Sequence, residues 1–279
     1  MTKYAVTIIT PPGYQHWKGF NDVAENLNNG LKNIGHDSMI RYSPDPNRKN
    51  IIFGSNLLKY YPIPIPDNSI LYNLEQIENG DKTWVNPEFI KLHQSHTTWD
   101  FCEYNAKAFS DIGVKVDAVL PMGYVDQATK IPEIEEKDID AVLIAGHSER
   151  RNAMMMELQR RGLKVFHIFP LYGKERDKVI SRTKVLLNIQ TIQPKILEIV
   201  RMVHYLANKC AVVSEKGCNF NEYQDIYGDA ISFADYDKFA DVVVDLCEND
   251  EKRKKLASAG FEIFRKQRIE DHLIKILKE

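Results

Sequence analysis

The 279-residue chain lacks any C-x-x-C pair, any Cys/His cluster at zinc spacing, any G-x-x-x-x-G-K run and any G-x-G-x-x-G run. The first two absences leave no sequence signal for a structural zinc. The last two weigh against a P-loop kinase or NTPase and against a nicotinamide dehydrogenase. Charge of one sign is also missing: Lys+Arg is 37 against Asp+Glu 39, so charge alone does not hold this protein to nucleic acid. No apolar run approaches bilayer-spanning length. The short N-terminal run stops at Pro11 and Pro12 and reads as a first strand, not a signal peptide. A soluble, cytoplasmic protein is expected. Its four cysteines are expected to be reduced, with three of them beside apolar runs as small core residues.

What the sequence does have is alternation. Tyr4–Thr10 is strand-like, and Phe20, Val23, Leu27, Leu31 and Ile34 then recur on one helical face that Gly35 ends. Further strands are expected at "HDSMIRY", "NIIFGS", 69–74, 97–99 and "VKVDAVLP", with a helix over 101–112. Residues 122–137 are polar and aperiodic and read as a linker between a first domain, 1–121, and a second, 138–264. The second alternates again, through "DAVLIAG", a helix over 149–161, "LKVFHIF", "GKERDKVISRT", "KVLLNIQ", a helix near 196–206, "CAVVSE", "DAISF" and a helix over 236–246. A charged helical tail covers 251–277. Two Rossmann-like α/β domains follow, whose ligands bind outside the C-terminal strand ends.

The residues at those ends carry the chemistry. In "AGHSERRN", Gly146 turns the chain from strand to helix, and His147, Arg150 and Arg151 follow. Free N–H groups at a helix start and two guanidinium forks suit an anion such as phosphate, although arginines in a first helical turn are commonly just solvated. Arg150, Arg151 and Arg201 are expected to converge on one anion site. Asp138 and Asp140 form a D-x-D, but at the wrong strand end for a metal site, and no metal ligand set is expected. His167 alternates within its strand as a core-edge residue. In the first domain Glu75 ends a strand and is either a general base or a turn cap; Asp100 is the second candidate on the same grounds. His16 and Gln76 lie in neighbouring strand-end loops.

The ordered set "GHSERRN", "YGKERD", "KVLLNI", "LEIVR" and "VVSE" resembles the nucleotide-sugar-binding domain of GT-B glycosyltransferases, in a poorly characterised bacterial and phage group. The resemblance covers roughly 140–265, and "LYNLEQ" and "WDFCEYNAKAF" extend it more weakly. It implies the GT-B fold: two Rossmann-like domains facing across a cleft, with a C-terminal helix over 265–279 returning to the first. It implies that Gly146, Arg150 and Arg151 meet the donor diphosphate, that Phe169, Leu171 and Tyr172 flank the nucleobase, and that Glu198 and Arg201 hold phosphate or sugar; His147, at the same strand end as Gly146, is a candidate hydrogen-bond contact to the donor nucleotide. A UDP-sugar is the expected donor, and no cofactor or bound metal is expected. Two departures stand out. Relatives carry a ribose-gripping Glu where this chain has His204, and the retaining families' E-x₇-E pair is missing.

The missing pair favours an inverting transfer, with Glu75 or Asp100 as base and His16 and Gln76 on the acceptor side. The acceptor is expected to be a saccharide. One alternative is a hydroxymethylated base in phage DNA, by a more distant likeness to enzymes that glucosylate such bases; it would need a basic face supplied by Lys18, Arg41, Arg48, Lys49 and Lys59. Another is a module that binds nucleotide or sugar without turnover.

Overall fold

The structure is a computed structural model and describes residues 1–78, 84–191 and 195–277. It divides into two compact units. Unit 1 is Met1–Gln127 together with the segment from Gln267 onward, and unit 2 is Ala128–Lys266. The change falls inside the stretch read as linker.

Unit 1 holds β1 (Lys3–Ile8), α1 (Asn21–Asn33), β2 (Asp37–Arg41), β3 (Lys49–Phe53), β4 (Ile70–Asn73), α2 (Pro87–Ser95), β5 (Thr97–Asp100), α3 (Glu103–Asp111) and β6 (Ala118–Val119). The six strands form one sheet in the order β2-β1-β3-β4-β5-β6, all parallel. The strands are apolar on both faces, as buried parallel strands are, so Ile51, Ile52, Phe53, Leu71 and Tyr72 are all core residues. Helix α2 had no counterpart in the sequence reading. Asn86 caps it by accepting from Phe89 N, and Pro87 occupies its first turn.

Unit 2 holds β7 (Ile139–Ile144), α4 (Glu149–Arg160), β8 (Val165–Ile168), α5 (Gly173–Ser181), β9 (Thr183–Asn188), α6 (Ile199–Ala207), β10 (Ala211–Glu215), α7 (Phe220–Tyr227), β11 (Ser232–Ala234), α8 (Tyr236–Glu248) and α9 (Asp250–Phe264). Its five parallel strands run β11-β10-β9-β7-β8. The chain steps from β7 to β8 on one side and then to β9 on the other. That reversal opens a crevice between the C-terminal ends of β7 and β9, the place where such sheets take ligands.

The charged tail is two helices, not one. It breaks after α9, where Tyr124 N donates to Gln267 O and Ile269 N donates to Tyr124 O. The last helix, α10 (Ile269–Leu277), then packs on α1 within unit 1. A Cβ on Gly30 would sit 2.5 Å from Ile269 Cγ2, and one on Gly123 would sit 2.6 Å from Ile269 Cα. Two glycines therefore let α10 seat. Arg268 adds an ion pair to Asp126 at 2.7 Å. On the unit 2 side the stretch read as linker is fixed as well, since Asn208 Oδ1 accepts from both Lys130 N and Ile131 N.

Candidate functional site

In unit 2 the crevice between β7 and β9 is spanned by one side chain. Arg151 donates from Nε to Ile189 O at 2.7 Å and from NH1 to Gly146 O at 2.9 Å, bridging the two strand ends. Its side chain is 3% exposed. Ser148 caps α4 by accepting from Arg151 N, which sets this residue in the first turn. The remaining NH2 faces Glu198 at 3.3 Å.

Glu198 immediately precedes α6 and is the hub of the cluster. Arg201, Lys195 and Arg151 all pair with its carboxylate. Burial pushes that carboxyl up, but the three cations override it and hold it well below the ordinary range. Arg201 also donates to Asn188 Oδ1 at 3.0 Å, anchoring it to the end of β9. Three cations against one carboxylate leave an excess of two positive charges at the crevice. The exposed parts of that charge belong to Arg201 (26%) and Lys195 (23%).

Arg150 does not join them, contrary to the expected three-arginine convergence. Its guanidinium forks onto Glu215 at the end of β10 and stacks on the Tyr236 ring, 3.7 Å from the centroid. Adjacent residues on a helix point in different directions, and here Arg150 faces the end of β10 while Arg151 faces the ends of β7 and β9. Lys195 takes the third place. Glu215, 1% exposed, also accepts from Gln190 N at 3.0 Å and so ties the α4 start to the loop that carries Lys195.

Around the cluster, Phe169 lies over Gly146, 3.9 Å from where a Cβ would stand, and is 38% exposed. Leu171 and Tyr172 are half-buried; burial lowers the Arg201 pKa, but Glu198, then Tyr205 and last Tyr172, raise it above the ordinary value. His147 is exposed, with its ring 4.0 Å from that of His167. His167 Nε2 faces Ala145 O at 2.9 Å, and burial lowers its pKa. His204 is 8% exposed and packs against Asp177 and Arg176. Asp138 and Asp140 lie at the opposite strand end in pairs with Arg182, Lys164 and Lys184. Among the described residues no cluster of His, Cys, Asp or Glu could hold a metal ion.

In unit 1 the two strand-end carboxylates have different surroundings. Asp100 is 0% exposed. It accepts from Asn73 Nδ2, Asn105 Nδ2 and Cys102 N at 2.7–3.1 Å. Burial pushes it up to about 7 against those donors. Such a carboxylate has no surface to offer an acceptor hydroxyl, which corrects its place as second candidate base. The same two asparagines donate to Glu75 O, each at 2.8 Å. Asp100 therefore holds the loop that presents Glu75. Glu75 is half-buried, with Asn56 Nδ2 at 3.4 Å from Oε1. His16 is half-buried beside Tyr14, and Gln76 is half-buried beside Glu78.

No family model and no curated protein sequence matches the chain. Solved structures do. HepE of Anabaena, in complex with UDP and glucose, aligns at a TM-score of 0.66 with 9% identity, over 100% of each chain. Sucrose-phosphate synthase of Thermosynechococcus elongatus aligns at 0.63 with 10% identity, over 100% of this chain and 98% of its own. AviGT4, a glycosyltransferase involved in avilamycin A biosynthesis, aligns at 0.57 with 12% identity, over 100% and 97%. All three are GT-B glycosyltransferases. This chain has the GT-B fold.

Within the GT-B frame, sequence reasoning missed Lys195 and Glu215. Lys195 stands in a stretch without periodicity, so nothing local marks it. Glu215 closes "VVSE", and its position at a strand end was the available signal.

Proposed function

We propose that this chain transfers a glycosyl group from a nucleotide-diphosphate sugar, a UDP-sugar in the first instance, to a hydroxyl of a saccharide acceptor, with inversion and without a bound metal. The observation that carries this is the cationic crevice of Arg201, Lys195 and Arg151 around Glu198. A diphosphate is the anion whose charge matches an excess of two, and these cations can take the role that a divalent ion plays elsewhere. The first turn of α4 adds oriented N–H groups. That HepE binds UDP and glucose supports the donor class.

In the proposed reaction the Glu75 carboxylate takes the acceptor hydroxyl's proton while its oxygen bonds to the anomeric carbon. The bond from that carbon to the phosphate oxygen breaks, and the electron pair leaves with the nucleoside diphosphate. Arg201 and Lys195 stabilise the charge that develops there. The basic face required by a DNA acceptor is split. Arg48 is held by Asp37 and Tyr4 O at the N-terminal strand end, and Lys49 begins β3 at that same end, so only Lys18, Arg41 and Lys59 are left at the end that carries Glu75. This favours the saccharide.

The test is calorimetry with UDP, followed by assays for UDP release from UDP-sugars. Arg201→Ala is expected to weaken UDP binding by about 1.5–3 kcal/mol, the size of a charge-assisted hydrogen bond. Equal binding by parent and variant would overturn the donor site. UDP binding with neither hydrolysis nor transfer would move the chain to a non-catalytic binding module.

A further inference from the structure

Four consecutive strand-end loops of unit 1 bring a group of aromatic rings to the edge that carries Glu75. Tyr14, His16 and Trp17 follow β1, Tyr42 follows β2, Tyr60 follows β3, and Glu75 follows β4. Trp17 and Tyr42 meet edge to face at 5.6 Å, and Tyr14 and His16 do so at 5.1 Å. Tyr14 joins these rings to the carboxylate: burial first, then Glu75 and Tyr60 nearby, push its phenol up. Tyr14 and Trp17 pack against Ile9, Ile52, Leu57 and Leu71, so their rings are anchored from beneath. Tyr42 and Tyr60 remain 54% and 59% exposed. The Lys59 ammonium stands 5.6 Å from the Tyr60 ring.

The geometry points to a pyranose-binding shelf formed by Tyr14, Trp17, Tyr42 and Tyr60, which seats a sugar ring of the acceptor beside Glu75. This rests on the proposal that unit 1 is the acceptor side. A pyranose has an apolar C–H face and a rim of hydroxyls. Rigid aromatic faces with polar tips match both, and few other side chains do. Large exposed rings gathered at one strand edge are also uncommon without a ligand to cover them. A nucleic-acid strand would stack on the same rings, but it needs phosphate-binding cations along its path. Arg48 and Lys49 are at the other strand end, which leaves only Lys18, Arg41 and Lys59 of the five basic residues bordering the shelf.

The experiment uses the full chain and saturation-transfer NMR with maltotriose, cellotriose, chitotriose and a hydroxymethylated DNA duplex as probes. At least one trisaccharide is expected to bind, with saturation reaching its ring C–H protons. Trp17→Ala and Tyr42→Ala should each weaken that binding about ten-fold, the size of an aromatic anchor's truncation, and leave UDP binding unchanged. Tyr42→Ala is the safer variant, because Tyr42 is mostly exposed. Saccharide binding untouched by both variants, or found for none of the three probes, overturns the shelf. So does duplex binding that depends on Trp17 and Tyr42. A chain that binds saccharide here but never UDP would retain the shelf and lose the proposed donor site.

Discussion

Arg150 and Glu215, 65 residues apart, form a forked ion pair whose carboxylate is all but sealed from solvent. An arginine that the sequence would assign to a ligand is thus committed to the protein. Removing one partner of a buried pair leaves the other desolvated and poorly compensated.

Arg150→Ala should accordingly destabilise unit 2 by about 3–5 kcal/mol in urea unfolding. Glu215→Gln combined with it should recover part of the loss, because no buried charge then lacks its guanidinium. A stable Arg150→Ala protein that binds UDP poorly would instead make Arg150 a donor ligand.

Glu75→Gln tests the base. Fold and UDP affinity should persist, while transfer falls by about 10²–10⁴, the usual worth of a positioned general base. Undiminished transfer would remove Glu75 from the mechanism.

Asp100 makes a separate prediction, about pH. Its folded-state pKa near 7 lies above the ordinary value of 3.8, so between these values the folded chain binds the extra proton. The stability it contributes is full below about pH 4 and is lost as pH rises towards 7, by up to about 1.4 kcal/mol per pH unit. Buried His93, lowered to about 3, acts in the opposite sense. Only the difference between parent and variant isolates Asp100. Asp100→Asn should remove its share of the slope in urea titrations between pH 4 and 7, whatever constant offset it adds. A parent-minus-variant slope of zero would show that Asp100 is ionised throughout.

Much of this fold was legible because parallel strands buried on both faces leave uninterrupted apolar runs such as "AVLIA" and "VLL". The strand ends pointed to Gly146, Arg151, Glu198 and Arg201, which the structure does bring together. Spacing within an element was the information left unused. Arg150 and Arg151 are neighbours on a helix, and their divergence follows from its pitch. Asn86 before Pro87 announces α2 in the same local terms. Lys195 and Asp100 were beyond reach for a different reason. Whether a cation meets Glu198, or a carboxylate is enclosed by Asn73 and Asn105, depends on contacts that no periodicity encodes.

The seating of α10 on Gly30 and Gly123 also sets an order of events during synthesis. This helix buries its own Ile269 and Leu273 against Gly30 of unit 1, yet the ribosome makes it only after all of unit 2. The nascent first sheet must therefore wait, with one groove open, while more than a hundred residues of the second unit emerge. Unit 2 has no such debt and can close as soon as α9 is out. The later half of the chain is thus positioned to finish folding first.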